Sequence, residues 1–244
     1  MSEAPDYGRL AALGPYFALD AAGTPGQGPP PGHRPLRDLY APGPDGLLAG
    51  RVQEVARRLG TTEARVAAST LHLGLAARFC SVGLGAAALL GEVPDLTPDR
   101  AWVRVPEQGP IDLWVPYRSG STDRAALADR FRRTVVEGQL AELAAAVRGT
   151  VPLAEGLLRG NTASALAGAL RVLEAHPAYG AGRTPARALV AEVLGRPPLA
   201  GTGAFAGAPA GPAFRRTSCC LYYRVGPGAG VCGDCCFTRP PGRR

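Results

Sequence analysis

The cysteines of this 244-residue chain are the residues whose type and spacing could do chemistry. Of the six, five fall within a short stretch near the carboxyl end: Cys219, Cys220, Cys232, Cys235 and Cys236. Disulfides rarely persist in the cytoplasm, so clustered thiols in a cytoplasmic chain indicate metal or cluster binding. The pair Cys232 and Cys235 has C-x-x-C spacing on a glycine-containing turn, which lets two thiolates face one site.

Four thiolates suit either Zn²⁺ or an iron–sulfur cluster. Neighbouring side chains of an extended strand point to opposite faces, so the adjacent ligands Cys219 and Cys220 require a turned backbone. Two C-x-x-C pairs would be the usual zinc arrangement, and this chain has one. The residues therefore favour iron–sulfur, with a structural zinc site as the alternative. The sixth cysteine, Cys80, lies on an apolar helical segment and is predicted to be a small buried hydrophobe.

The cysteine stretch resembles the C-terminal cluster segment of the ferric-siderophore reductase family, the FhuF-like proteins. The resemblance is carried by residues 215–224 and 230–235, and more weakly by residues 71–78 and 160–168. The family pattern is a vicinal cysteine pair, ten residues and then C-x-x-C. In this chain eleven residues separate Cys220 from Cys232, and the extra one falls in the glycine-rich loop 226–230.

The resemblance implies a [2Fe–2S] cluster held by Cys219, Cys220, Cys232 and Cys235, with Cys236 as a substitute ligand for Cys235. It also implies a reductase that passes one electron to a ferric siderophore, so that Fe²⁺ is released. Two G-x-G-x-x-A matches lack the strand–turn–helix context of a dinucleotide site. The electron donor is therefore expected to be external, a ferredoxin or a flavoprotein reductase.

The net charge of +7 is concentrated in the last 34 residues, which carry six arginines and one aspartate. Among them, Arg215, Arg216 and Arg224 could contact an anionic chelate or a partner. Residues 1–10 do not have the pattern of a signal peptide, and no apolar run reaches the roughly 20 residues of a membrane span. These observations predict a cytoplasmic protein whose basic tail could touch the inner membrane surface; nucleic-acid binding is not expected.

Apolar periodicity predicts a mainly α fold with a small β-hairpin, an α+β arrangement. We expect an N-terminal segment with a Pro/Gly loop (1–44), a mostly helical reductase-like body (45–195), a Gly/Ala/Pro linker (196–213) and the cluster segment (214–244). Helices are predicted from residue 45 to 59, 63 to 79, 81 to 91, 124 to 148, 163 to 174 and 184 to 194, with Asn161 and Thr162 capping the fifth. Two short runs, 101–105 and 111–115, predict the hairpin.

Beside the reductase, the sequence leaves other readings open. One is a non-catalytic iron–sulfur protein that senses iron or oxygen or carries electrons; the other is the zinc protein named above. The basic character of the chain is compatible with a regulatory role, although no helix-turn-helix pattern stands out.

Overall fold

The computed structural model describes residues 5–43, 45–117, 126–177, 179, 183–207, 213–226 and 228–241. It is mainly α with small sheets, with 53% of residues in helices and 9% in strands, which confirms the predicted fold class. The helices are α1 (Leu47–Leu59), α2 (Ala64–Leu90), α3 (Leu127–Phe131), a π-helix (Arg132–Leu140), α4 (Ala141–Thr150), α5 (Glu155–Ala175) and α6 (Arg183–Gly195). In the described part of the chain, 3-10 helices span Tyr7–Leu13, Leu36–Tyr40 and Tyr222–Arg224.

Helix α2 is the centre of the body and packs against α1 and α5. By length and composition this helix could cross a membrane, but the core helix of a soluble protein meets the same test. Of its most apolar 18-residue stretch, 67% is buried inside this fold. The sequence predicted a break near Cys80, which is wrong, because α2 runs unbroken from Ala64 to Leu90. Gly83 and Gly85 lack side chains, which leaves room for Phe131 and Phe17 to pack against this helix.

The predicted hairpin is confirmed as β3 (Trp102–Arg104) and β4 (Asp112–Val115), which pair antiparallel. Two further strands of two residues each, β1 (Asp20–Ala21) and β2 (Arg34–Pro35), complete a four-stranded sheet of order β1-β4-β3-β2. Arg78 of α2 ties this sheet to the helices, since its guanidinium donates to Ile111 O at 2.9 Å and to Tyr16 O at 2.8 Å. The N-terminal segment is thereby fixed against the body.

Local signals explain the helix ends that the sequence placed correctly. Gly60 ends α1 in the left-handed conformation, with φ of 63°, which glycine adopts at little cost. The predicted cap at Asn161 and Thr162 is wrong: α5 begins at Glu155, and Asn161 lies fully buried inside the helix. The start of the helix predicted from residue 124 lies outside the described residues, and its described part continues to Thr150.

The stretch 196–213 was predicted to be a linker, and its described residues correct this. Leu199 is buried, and β5 (Gly203–Ala206) pairs antiparallel with β6 (Ala213–Arg216). Phe205 and Phe214 stack edge to face across this pair, with ring centroids 5.4 Å apart. Strand β6 contacts α5, so the cysteine segment starts from a docked strand. The four domain boundaries themselves stay a prediction.

Candidate iron–sulfur site

The vicinal cysteines Cys219 and Cys220 lie just after β6, where the backbone leaves the strand and turns. Leu221 has φ of 68°, and it is the one described residue other than glycine in the left-handed region. In this turn the Leu221 N–H donates to Cys219 Sγ at 3.2 Å. The backbone therefore turns directly after the two adjacent cysteines.

The Cys232–Cys235 turn is closed by a hydrogen bond from Cys235 N–H to Cys232 O at 3.1 Å. Its backbone is held against β6, because Arg216 N–H donates to Asp234 O at 3.0 Å. The side chain of Asp234 is held against α5, because Arg171 Nη1 donates to Asp234 Oδ1, also at 3.0 Å. Body and strand thus fix the position of the turn from two sides.

A contact between two sulfurs joins the two halves of the motif: Cys220 Sγ and Cys232 Sγ lie 3.3 Å apart. Cys220 and Cys235 are buried, whereas Cys219, Cys232 and Cys236 are half-buried. The site therefore has a protein-facing side and a solvent-facing side. Cys80 is fully buried in the apolar core of α2, as predicted, and takes no part in the motif.

The cysteines also affect one another electrostatically. The hydrogen bond between Cys220 and Cys232 lowers the pKa of Cys220 to about 6 and raises that of Cys232. Burial raises the pKa of Cys219, and the neighbouring thiolates of Cys220, Cys235 and Cys236 raise it further. Thiolates that repel one another in this way are stabilised by cations, and iron held by these cysteines would supply that charge.

A buried polar network lies beneath the cysteine pair and joins it to α2 and α5. Arg216, 2% exposed, donates from Nη1 to Asn161 Oδ1 at 2.7 Å and from Nη2 to Leu157 O at 3.0 Å. Asn161 Nδ2 donates to Ser69 O at 3.0 Å, and Ser69 Oγ donates to Cys220 O at 2.8 Å. The carbonyl of one candidate ligand is thus held by a chain of hydrogen bonds that starts on β6.

Gly160 makes this close approach sterically feasible. A Cβ at this position would lie 2.2 Å from Ser218 Oγ and 2.7 Å from Arg216 Nη2. Ser218 in turn donates to Gly156 O at 3.0 Å, one turn earlier on α5. The cysteine segment therefore lies directly on the backbone of α5.

The donor set of this segment, thiols alone, is of the type that an iron–sulfur cluster takes. In the described part of the chain, no three His, Cys, Asp or Glu side chains surround one position for a metal ion. Clusters of the [2Fe–2S] type take four thiolates shared between two irons, and hydrogen bonds to the sulfurs tune their potential. Backbone N–H groups of Leu221 and Phe237 already donate to Cys219 and Cys235.

Comparison with known families identifies this stretch. Residues 216–237 match the family described as FhuF 2Fe-2S C-terminal domain, and the match includes all five clustered cysteines. The C-terminal segment is similar to the FhuF-type [2Fe–2S]-binding domain. The resemblance inferred from the vicinal pair and the C-x-x-C is thereby confirmed. The longer spacing between Cys220 and Cys232 does not prevent the match. None of the curated proteins compared with the chain matches it.

Within the FhuF-type segment, the choice of four ligands among five cysteines stays a prediction. Cys219, Cys220, Cys232 and Cys235 all belong to the two anchored turns. Cys236 follows Cys235 directly and is half-buried, so it remains the substitute ligand. The match to a [2Fe–2S]-binding domain supports a cluster at these thiolates and not the zinc ion of the alternative hypothesis.

The three arginines singled out from the sequence have different surroundings. Arg215 is exposed on β6. Arg224 is paired with Glu63, with Nε and Oε2 2.7 Å apart at the surface. Arg216 is not a surface residue, because its terminal nitrogens bond to Asn161 and Leu157; its Nε is buried and has no partner among the described residues.

Sequence reasoning missed Ser69 and Asn161, the residues that connect the FhuF-type segment to the body. For Ser69 a weak signal was present, because it follows Val66, Ala67 and Ala68 in an apolar helix. Ser69 and Asn161 are each 0% exposed. Buried polar side chains need partners, and the partner here is more than 50 residues away in sequence.

Proposed function

We propose that the protein is a cytoplasmic ferric-siderophore reductase that delivers one electron to the chelated Fe³⁺. The observation that carries this proposal is the FhuF-type [2Fe–2S]-binding segment at residues 216–237, on which two of the four predicted ligands are half-buried at the surface. When bound, a [2Fe–2S] group supplies electrons one at a time. Siderophores hold Fe³⁺ through hard oxygen donors, and Fe²⁺ is held less tightly by such donors.

The residues of this chain position the cysteines and limit their movement. Arg171 and Arg216 hold the C-x-x-C turn through Asp234, and Ser69 holds the carbonyl of Cys220. A rigid ligand frame lowers the structural rearrangement that accompanies a change of charge at the site. Release of iron from the siderophore requires no nucleophile from the protein, and reduction of the metal is sufficient. The electron is supplied by an external donor, a ferredoxin or a flavoprotein.

Mixing the reduced protein with ferric siderophores tests the proposal. Anaerobically purified protein is reduced with dithionite, freed of reductant and mixed with the iron complexes of a trihydroxamate, a tricatecholate and a hydroxycarboxylate siderophore. We expect at least one complex to reoxidise the protein rapidly, with release of about one Fe²⁺ per chain into a ferrous-specific chelator, because the cluster carries one electron.

The matched control is the Cys232→Ser protein, which should release no Fe²⁺ under the same treatment. If all three complexes reoxidise the wild-type protein no faster than a quinone of similar potential, the reductase proposal is wrong. That result would favour an iron–sulfur sensor or electron carrier.

A further inference from the structure

A cleft of about 450 Å³ opens beside the FhuF-type segment. Its walls are the loop after the first 3-10 helix, one face of α2 and one face of α5. One end is closed by Cys232, Gly233 and Asp234. Its volume lies in the range of sites that bind small molecules, roughly 300–1,000 Å³. A candidate cluster ligand, half-buried Cys232, therefore forms part of the wall of a ligand-sized cleft.

The cleft walls are apolar and open to solvent. The described residues include four exposed large hydrophobic side chains, and two of these, Tyr16 at 42% and Val172 at 51% exposure, line the cleft. Behind them lie Leu73, Ala77 and Ala169. Exposed apolar side chains that cluster in a concave surface indicate a binding site more strongly than isolated ones do.

Two polar groups in the lining have no partner among the described residues: Ser164 Oγ and Arg216 Nε. Both residues are more than nine-tenths buried, at 5% and 2% exposure. A hydroxyl and a guanidinium N–H are both hydrogen-bond donors. The Arg216 guanidinium is held at its terminal nitrogens by Asn161 and Leu157, whereas the Ser164 hydroxyl is free to rotate. A ligand with an oxygen acceptor and an aliphatic skeleton would pair with Ser164 and cover the apolar wall.

We propose that this cleft binds the ferric chelate against its apolar wall, with an oxygen atom toward Ser164, and that the electron reaches it by way of Cys232. This inference rests on the proposed function. Fe³⁺ in the cleft gains one electron and becomes Fe²⁺, and the external ferredoxin or flavoprotein replaces that electron. No covalent bond between chelate and protein forms or breaks. Arg216 anchors the cysteine segment beneath the cleft through its terminal nitrogens.

Binding of redox-inactive chelates tests the cleft separately from electron transfer. Gallium complexes of the same three siderophores resemble the iron complexes in charge and shape but are not reduced. Their affinity for the oxidised holoprotein is measured by titration calorimetry. Val172→Trp places a bulky ring at the mouth of the cleft and should weaken binding at least tenfold. Ala175→Trp, on the same helix but outside the lining, should bind like wild type.

Ser164→Ala provides a second and gentler variant. Its hydroxyl has no partner among the described residues, so its loss should not affect the fold. If the hydroxyl donates to the chelate, affinity should fall about fivefold, the effect of one hydrogen bond. Cluster absorbance and circular dichroism should stay at wild-type values in all three variants.

The outcomes separate this inference from the proposed function. If wild-type protein reduces a ferric siderophore but Val172→Trp and Ser164→Ala bind its gallium complex normally, the cleft assignment is wrong and the reductase stands. If binding is lost in Val172→Trp while wild-type protein reduces no ferric complex, the cleft is a chelate site and the reductase proposal fails. Absence of binding to wild type overturns the cleft assignment outright.

Discussion

The helical body and the cysteine segment are stabilised by different interactions. Body residues form a continuous apolar core around α2 and α5. Among its described residues, the segment that starts at β6 buries only Phe214, Cys220 and Cys235 as apolar groups. It is held instead by hydrogen bonds from Arg171, Arg216 and Ser69. The stability of the body is distributed over many apolar contacts. The position of the segment depends on a few hydrogen bonds and on its cofactor.

This difference has a consequence for folding. Binding of a metal group to a site that is absent in the unfolded chain contributes directly to the stability of the part that forms the site. Loss of the [2Fe–2S] group should therefore loosen the segment and leave the body folded. The helices pack around an apolar core of their own. Without the cluster, Cys220 and Cys232 are joined by one hydrogen bond between two thiols.

The largest expected effect comes from replacing one cysteine in each of the two regions by serine. Cys232→Ser should eliminate bound iron and acid-labile sulfide while the unfolding midpoint of the body changes little. Cys80→Ser should do the reverse: it keeps the cluster but buries a hydroxyl in an apolar core, at a cost of about 1–3 kcal/mol. Iron and sulfide per chain and far-UV circular dichroism during urea unfolding measure the two effects. Loss of the cluster in both variants would contradict the separation of the regions.

An intermediate effect is expected at the contact between the regions. In Gly160→Ala, the new methyl group would meet Ser218 and Arg216, which should destabilise docking of the segment by about 1–3 kcal/mol. Gly156→Ala is the matched control, because it lies on the same helix and a Cβ there has open space. It should gain up to about 1 kcal/mol from helix propensity.

The measurement for this pair is amide hydrogen exchange of the segment, together with the rate at which an iron chelator removes the cluster. Both should be faster in Gly160→Ala than in Gly156→Ala. Equal rates in the two proteins would mean that the close approach of the segment to α5 is unimportant for docking.

The sequence was sufficient to predict the parts of the molecule that local signals determine. Gly60 predicted the end of α1, and the Cys219–Cys220 pair predicted a turned backbone and an FhuF-type cluster. Side-chain spacing along one stretch of chain carries this kind of information. Two short apolar runs likewise predicted the hairpin of β3 and β4.

Features that depend on distant contacts were not accessible. Asn161 was interpreted as a helix cap because asparagine is a good one, yet its partners are Ser69 on α2 and Arg216 on β6. The interruption predicted at Cys80 failed because the glycines that follow it are sites of close packing. The cleft beside Cys232 combines an N-terminal loop, two helices and the cysteine turn, and no local pattern indicates it.

The smallest expected effect concerns His72, which lies in α2 under the segment and is 0% exposed. Burial lowers the pKa of His72 from its ordinary 6.5 to about 3, and the positive charge of Arg216 lowers it further. Below pH 6.5 the unfolded chain binds a proton that the folded chain does not, so stability should fall as the pH falls from 6.5 toward 3. At pH 5.5, one unit below the unfolded pKa, this loss is about 1.4 kcal/mol. Urea unfolding at pH 7.5 and 5.5 should show it in wild type but not in His72→Gln; an equal loss in both proteins would assign the acid sensitivity to other groups.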